Sequence, residues 1–212
     1  MTFPDRVEAG KKLASELQQK YSNVPNAIVV ALPRGGLPLG YEVAKAMNIP
    51  LDIVVPRKIG APGHDEYAIG ALTEIGEPIF NESEKERFNQ DAIEKIVAEE
   101  KKEARRRLGL YRGKSKPLNL KDKTVFLVDD GIATGLTMRA AILSCKAKEA
   151  KKIIVAVPVA SKEALDTIEK EVDDVVCLYE PRFFMAVGQF YEVFPQTKDS
   201  EVIETMKKYH SF

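Results

Sequence analysis

Six segments of the chain are dominated by apolar residues, a pattern typical of strands buried on both faces of a sheet. The stretches between them carry apolar residues at helical spacing, beginning with a stripe over 6–20 that Asp5 is placed to cap. Strands that alternate with helices predict an α/β fold with a doubly wound, mostly parallel sheet. The predicted strands are 27–32, 51–56, 68–75, 124–128, 152–159 and 174–179, and the further helices are 37–47, 82–108, one ending at about 145, one from 161 and one from 199.

The segment 82–112 is predicted to be a helical insertion whose helix ends at Gly109. Its narrow apolar stripe is expected to pack on the domain or on a second subunit. Basic residues near its end, Arg105–Arg107, complement the negative end of the helix dipole. Contact with RNA or DNA is the alternative role of this basic end. The stripe consists of Phe88, Ala92, Ile96, Ala104 and Leu108.

Composition narrows the class of protein. The 212 residues are enough for one domain with a sizeable core, and 44% hydrophobic with 30% charged residues is typical of a soluble globular chain. Lys plus Arg and Asp plus Glu both number 32, so no overall field attracts nucleic acid or an anionic membrane. Cys145 and Cys177 lack zinc spacing, and no apolar run resembles a signal or a membrane span. We therefore expect a cytoplasmic protein.

Two adjacent aspartates, Asp129 and Asp130, follow directly after an apolar strand. Carboxylates that share a site repel each other, and burial adds to the cost, so a cation or a group rich in hydroxyls is expected above them. The loop 131–137 carries two glycines and two threonines before a helix N-terminus, where N–H groups and the helix dipole favour anions. This pattern suits a phosphorylated sugar whose hydroxyls lie on the carboxylates and whose phosphate lies in the loop. A Mg²⁺ ion is expected near the carboxylates, bound to them through water molecules. A capped turn with solvated acids is the alternative.

Two further segments combine glycine with cationic side chains at predicted strand ends. LPRGG at 32–36 lets backbone N–H groups approach an anion, and Arg34 adds forked donors. Arg57 and Lys58 precede a glycine-containing loop, 59–66, that is long enough to close as a lid. Taken singly, LPRGG also fits a tight turn with a solvated arginine, and Arg57 with Lys58 also fits an ordinary cluster of surface charges. Together at strand ends of one sheet, they favour a ligand with several phosphates.

Three other anion-binding classes are excluded. The chain has no GxxxxGK[ST] motif of a P-loop hydrolase and no GxGxxG motif of a dinucleotide fold. A phosphorelay receiver domain would need four more strand–helix units after its paired acids, whereas only two core strands are predicted after Asp130.

The segment TVFLVDDGIATGLT at 124–137 resembles the phosphoribosyl pyrophosphate signature of type I phosphoribosyltransferases, and LPRGG stands at the expected upstream place. The resemblance implies that family's fold, with a hood built from the chain ends. The implied organisation is a single domain over 1–212, with a core at about 25–180, the insertion at 82–112, and hood elements at 1–24 and 180–212.

The resemblance also assigns roles to residues. Asp129 and Asp130 would hold the ribose hydroxyls and, through water, Mg²⁺, while Arg57, Lys58 and the loop 59–66 would cover the pyrophosphate. A cis peptide is expected at Pro33–Arg34. The implied catalytic residues are Asp129, Asp130, Arg57 and Lys58, and the implied donor-binding residues are Arg34, Gly35, Gly36, Ile132, Ala133, Thr134, Gly135 and Thr137.

The implied reaction is Mg²⁺-dependent transfer of phosphoribose from phosphoribosyl pyrophosphate to a nitrogenous acceptor, with release of pyrophosphate. A nucleobase, as in nucleotide salvage, is the expected acceptor, and an amine or another nitrogen compound is the alternative. Ala133 stands where enzymes for 6-oxopurines carry Asp and resembles the adenine and uracil enzymes. The glycine-rich C-terminal segment of uracil enzymes is missing, so the base stays open. The aromatic residues Phe183, Phe184, Phe190 and Tyr191 fit a hood that stacks on a base and fit a core or interface equally well.

A sensor of phosphoribosyl pyrophosphate that binds without turnover, and controls RNA or a protein partner, is the second hypothesis. Arg57, Lys58 and a mobile lid favour the enzyme, because a sensor has less need of them. His64 on the lid is expected either to touch pyrophosphate or to be solvated. The resemblance implies a homodimer; neither a membrane nor nucleic acid is an expected partner.

Overall fold

The computed structural model describes residues 1–74, 76–113 and 117–209. Its strands are β1 (Ala27–Ala31), β2 (Leu51–Ile53), β3 (Arg57–Ala61), β4 (His64–Leu72), β5 (Pro78–Phe80), β6 (Thr124–Val128), β7 (Lys152–Val159) and β8 (Asp174–Tyr179). Its helices are α1 (Arg6–Lys20), α2 (Gly36–Met47), α3 (Glu82–Lys85), α4 (Gln90–Arg112), α5 (Leu136–Ala147), α6 (Lys162–Ile168) and α7 (Asp199–Tyr209), with a 3₁₀ turn at Val187–Phe190. None of the described helices is long and apolar enough to cross a bilayer.

A five-stranded parallel sheet forms the centre of the molecule, in the order β2-β1-β6-β7-β8. Alternate residues of its strands point to opposite faces. Val29 and Phe126 belong to the apolar cluster that includes α1 and α2, whereas Val30 and Leu127 belong to the cluster that includes α5 and α6. Burial on both faces explains the continuous apolar runs, and the predicted doubly wound sheet is confirmed.

The second sheet is antiparallel and has the order β3-β4-β5. It includes the stretch 59–66 that the sequence predicts to be a loop, because Ile59 and Ala61 point inward and pack with Ile69 and with Ile93 of α4. The chain reverses at Pro62–Gly63, where Gly63 has φ +78°. The predicted strand at 68–75 corresponds to the second half of β4, which ends earlier, at Leu72, because the chain turns from Thr73. Ile75 lies outside the described residues. The expected lid is therefore a β-hairpin.

Helix α4 continues through Gly109, where the sequence predicts its end, to Arg112. Tertiary contacts of the last turn explain the difference, because they outweigh the weak helix propensity of glycine. Tyr111 is buried, and Arg112 forms an ion pair with the buried Glu74 at 3.0 Å. The helix ends instead at Gly113, whose φ of +54° favours glycine.

The two ends of the chain pack together beside the sheet. Phe3 pairs with Tyr191, and its N–H donates to the carbonyl of Phe190 at 2.8 Å. Helix α1 packs on α2 so closely that a Cβ on Gly10 would lie 2.8 Å from the Cα of Leu39. The N-terminal helix and the 190–193 segment are thus fixed against the core.

Candidate anion and ribose site

Neighbouring strands β1 and β6 lie at the centre of the sheet, with Ala31 opposite Val128 at their carboxyl ends. From there the chain leads to β2 on one side and to β7 on the other, which makes this place the topological switch point. Ligands of open α/β sheets bind in the crevice outside such a point. The loops that begin at Leu32 and Asp129 therefore form adjacent walls of one candidate site.

The 32–36 loop packs directly on the aspartates. A Cβ on Gly35 would lie 2.0 Å from Oδ2 of Asp130, and a Cβ on Gly36 would lie 2.8 Å from the Cα of Asp129. Only glycine leaves space for this approach. The Pro33–Arg34 peptide is cis, as the resemblance implies.

The two carboxyl groups are half-buried and lie close together. The N–H of Asp130 donates to Oδ1 of Asp129 at 2.9 Å, and Nε of Arg6 donates to Oδ2 of Asp130 at 2.8 Å. Burial raises the pKa of Asp129 well above its usual value, and the charge of Asp130 raises it further. Burial also raises the pKa of Asp130, although Arg6 acts in the opposite direction. A pair of acids beside one guanidinium suits a ligand that brings hydroxyl groups or further positive charge.

The loop after the aspartates is anchored at its start and open at its end. The N–H of Ile132 donates to the carbonyl of Val159 at 2.9 Å, so this group anchors the loop instead of facing an anion. Within the described part of the chain, the N–H groups of Ala133, Thr134 and Gly135 donate to no other residue. Gly135 has φ +78° and directly precedes the 12-residue helix α5. Three N–H groups at a helix N-terminus are the arrangement that binds phosphate.

Ser161 supports this loop from the neighbouring strand end, a role that its position as the predicted start of a helix does not reveal. Its Oγ donates to the carbonyl of Ala133 at 2.6 Å and accepts from the N–H of Ala164 at 3.2 Å. Ser161 thus caps α6 and holds the candidate phosphate loop with the same atom.

Replacing Ser161 by Ala is expected to lower the free energy of unfolding by about 1–2 kcal/mol, because a helix cap and a loop contact are lost together. Urea denaturation measures this change. Ser83→Ala serves as the control, because Ser83 is exposed and donates only to Asn81. Equal urea midpoints for the two variants would contradict the supporting role of Ser161.

Arg34 lies in a second polar cluster formed by α4 and α7. Its Nη1 is 3.5 Å from Oδ1 of Asp199, the first residue of α7. That carboxylate also accepts from the Tyr111 hydroxyl at 2.5 Å and from Arg106 at 3.1 Å. Burial, together with the hydrogen bond to Asp199, raises the pKa of Tyr111 to about 12. The end of the insertion helix therefore contacts the same carboxylate that pairs with Arg34.

The candidate lid residues lie on the second sheet. Nε of Arg57 donates to Glu100 of α4 at 2.6 Å, and Lys58 pairs in register with Ala71. His64 begins β4, the second strand of the hairpin. Among the described hydrogen bonds and ion pairs, none joins Arg57 to Arg34 or to the aspartates. The two central loops thus lie together, and Ala68 and Ala71 of the hairpin pack with Leu136, the first residue of α5.

The aromatic C-terminal segment divides into a buried and an exposed part. Phe190 and Tyr191 are buried, and the Tyr191 hydroxyl donates to the carbonyl of Asp130 at 2.6 Å. Phe183 and Met185 are 86% and 89% exposed. The segment also contacts the phosphate loop, because a Cβ on Gly131 would lie 2.6 Å from Val187. Phe184 packs on Phe190 with ring centroids 5.3 Å apart, so core packing accounts for Phe184, Phe190 and Tyr191, whereas Phe183 is exposed.

The basic end of α4 is largely neutralised within the protein. Arg106 and Arg107 form ion pairs with Glu103 at 2.7 and 2.8 Å, and Arg112 pairs with Glu74. These contacts favour a structural role over contact with nucleic acid.

The carboxylates fit a magnesium ion that is held mainly by water and by ligand oxygens. Mg²⁺ prefers oxygen and is usually bound by one or two carboxylates together with substrate phosphates. Asp129 and Asp130 provide such a pair. Among the described residues, no group of three or more His, Cys, Asp or Glu side chains forms a metal cage, so the protein alone is not expected to coordinate an ion fully.

Comparison with known sequences agrees with this geometry. The family model described as the phosphoribosyl transferase domain matches residues 3–193. A protein of Mycobacterium tuberculosis H37Rv, named provisionally as a phosphoribosyl transferase, is 38% identical over 210 residues, which make up 98% of this chain and 47% of that protein. The chain therefore spans about half the length of the curated relatives it matches.

Solved structures show the same architecture. The crystal structure of TT1426 from Thermus thermophilus is 36% identical, has a TM-score of 0.81, and is matched over 99% of both chains. A hypothetical protein from Neisseria gonorrhoeae with bound ppGpp is 12% identical with a TM-score of 0.51, covering 96% of this chain and 94% of that one. At such low identity, the second likeness shows the fold alone.

Proposed function

We propose that this protein transfers phosphoribose from phosphoribosyl pyrophosphate to a nitrogenous acceptor. The proposal starts from the fact that the chain belongs to the phosphoribosyl transferase domain family. One observation carries the proposal. Two adjacent carboxylates, the 32–36 loop and the N–H groups of residues 133–135 meet at the switch point of the sheet. A sugar that bears a phosphate at one end and a pyrophosphate at the other matches these three features.

The donor is proposed to bind with its 5′-phosphate on the N–H groups of Ala133, Thr134 and Gly135, supported by the Thr134 and Thr137 hydroxyls. Asp129 and Asp130 would accept hydrogen bonds from the ribose hydroxyls, and the 32–36 loop would receive the pyrophosphate, with Gly35 and Gly36 giving backbone access. Arg34 would add charge-assisted hydrogen bonds to it.

The chemistry follows from where charge develops. As the bond from C1 to the pyrophosphate oxygen breaks, positive charge forms on the sugar and negative charge on the leaving group. The aspartates stabilise the first, and Arg34 with the backbone donors stabilises the second. The acceptor nitrogen then bonds to C1 and gives up its proton to the released pyrophosphate or to solvent, while the hairpin with Arg57 and Lys58 closes to exclude bulk water.

Mg²⁺ is proposed as the cofactor. It would be held by Asp129 and Asp130 through water and by donor oxygens, and when bound it supplies positive charge that offsets the charge of the pyrophosphate.

The acceptor is proposed to be a flat nitrogen base that enters beside the 183–191 segment. This segment lies against the candidate phosphate loop, because Val187 packs on Gly131 and the Tyr191 hydroxyl donates to the carbonyl of Asp130. The exposed side chains of Phe183 and Met185 offer an apolar surface on which a ring can stack. Ala133 adds no carboxylate, which favours acceptors other than 6-oxopurines.

Pyrophosphate release from phosphoribosyl pyrophosphate and Mg²⁺, measured across a panel of bases and small amines, tests the proposal. We expect release that depends on one class of acceptor, with little release when the acceptor is omitted. Tight donor binding in calorimetry without turnover for any acceptor would favour the sensor hypothesis instead. Absence of donor binding would contradict both.

A further inference from the structure

Arg6 is a cation at the candidate site that the family signature does not include. We propose that Arg6 is a positioning residue, which fixes the carboxylate of Asp130 for the donor and joins it to the C-terminal segment. This inference rests on the proposed function, because it concerns the ribose contact of the same site.

Three contacts hold the Arg6 guanidinium. Nε donates to Oδ2 of Asp130 at 2.8 Å, and Nη1 donates to the carbonyl of Pro195 at 2.7 Å. The Cζ atom lies 3.7 Å from the centre of the Phe194 ring. The Arg6 and Asp130 side chains are only 11% and 14% exposed. The guanidinium of Arg6 is planar and rigid. Its two hydrogen bonds and its contact with the Phe194 ring therefore define its orientation.

The backbone of Arg6 is held equally firmly. Arg6 is the first residue of α1, and Asp5 caps this helix by accepting from the N–H of Glu8 at 2.9 Å. The close packing of Gly10 on Leu39 fixes the helix against α2. The position of the guanidinium is therefore set by the fold before any ligand arrives.

Asp130 consequently presents one defined oxygen. Arg6 occupies Oδ2, Tyr191 donates to the main-chain carbonyl, and Gly35 allows the neighbouring loop to approach the carboxylate. Among the described contacts, Oδ1 accepts no hydrogen bond, so it is the oxygen available to a ribose hydroxyl. Without Arg6, the carboxylate would rotate or turn toward other donors, and the ribose contact would lose its fixed geometry.

Calorimetry with phosphoribosyl pyrophosphate and Mg²⁺ on Arg6→Gln and Arg6→Lys tests this role. Loss of one charge-assisted hydrogen bond predicts that Arg6→Gln raises the donor Kd by about 10- to 100-fold. Lysine keeps the positive charge but lacks the planar guanidinium that donates to Asp130 and to the carbonyl of Pro195 at once. Arg6→Lys should therefore recover only part of the donor affinity. The control is Arg87→Gln, which removes an exposed ion pair with Glu84 and should leave the Kd unchanged.

A double-mutant cycle separates positioning from a merely structural role. If Arg6 acts through Asp130, Arg6→Gln should have no further effect on donor Kd when Asp130 is already Ala, which accepts no hydrogen bond from position 6. Additive effects of the two substitutions, or unchanged donor affinity in Arg6→Gln, would overturn the assignment while the wild-type protein still binds the donor. Failure of the wild-type protein to bind the donor would overturn the proposed function, and this inference with it.

Discussion

Asp129→Asn combined with Asp130→Asn is expected to weaken binding of phosphoribosyl pyrophosphate by at least about 100-fold. Each carboxylate is proposed to accept a hydrogen bond from the ribose, and a hydrogen bond to a charged group contributes roughly 1.5–3 kcal/mol. Two such bonds correspond to about 10²- to 10⁴-fold in Kd. Calorimetry in the presence of Mg²⁺ measures the loss directly.

The same double substitution should not lower the thermal midpoint of the protein. Burial raises the pKa of both carboxyl groups above their usual values, so the ionised pair destabilises the folded state at neutral pH. Asparagine removes that cost, and its side-chain oxygen can still accept from Arg6. Asp122→Asn is the control for the thermal midpoint. Asp122 lies at an exposed turn, and asparagine tolerates its φ of +59°. A double variant with wild-type donor affinity would defeat the site assignment.

Gly35→Ala is expected to reduce turnover by about 100-fold or more, because a displacement near 1 Å at the reacting groups has effects of this size. The backbone of Gly35 has φ −66° and ψ −35°, which alanine adopts readily, so only the added methyl group matters. That methyl group would lie 2.0 Å from Oδ2 of Asp130, and either the loop or the carboxylate must move. Steady-state rates of pyrophosphate release measure the loss.

Gly109→Ala provides the matched control for that substitution. A Cβ at Gly109 meets no described atom within 4 Å, and the residue lies inside α4. Alanine there should stabilise the protein by about 0.5–1 kcal/mol and leave turnover unchanged. At Gly35 the same change should destabilise it by about 1–3 kcal/mol through overpacking. Similar turnover for the two variants would contradict close packing of the 32–36 loop on Asp130.

The central sheet could be predicted because its strands carry their own signal. The apolar runs at 27–31 and 152–159 are buried on both faces, and local composition alone distinguishes them from helices. β3 and the first half of β4 are predicted as a loop because Arg57, Lys58 and His64 make this stretch polar. Its inward residues, Ile59 and Ala61, are covered by a helix that comes much later in the chain.

The candidate site was predictable where its residues adjoin in sequence, as in Asp129–Asp130 and the glycine loop. Contacts made across the whole chain leave no local pattern. Arg6 reaches Asp130 across 124 residues, and Asp199 meets Arg34 from the last described helix. The extension of α4 beyond Gly109 likewise depends on distant partners of Tyr111 and Arg112.

Asp130 is touched by three stretches of chain that lie far apart in sequence, around Arg6, Gly35 and Tyr191. Only a fragment that spans nearly the whole chain contains all three, so a ligand that depends on this carboxylate recognises only the folded domain. Binding then raises the free energy of unfolding by an amount set by the ratio of the free ligand concentration to Kd. By mass action, a ligand at 100 times its Kd would stabilise the protein by about 2.7 kcal/mol, so a shift in melting temperature reports occupancy of this site without any knowledge of the acceptor.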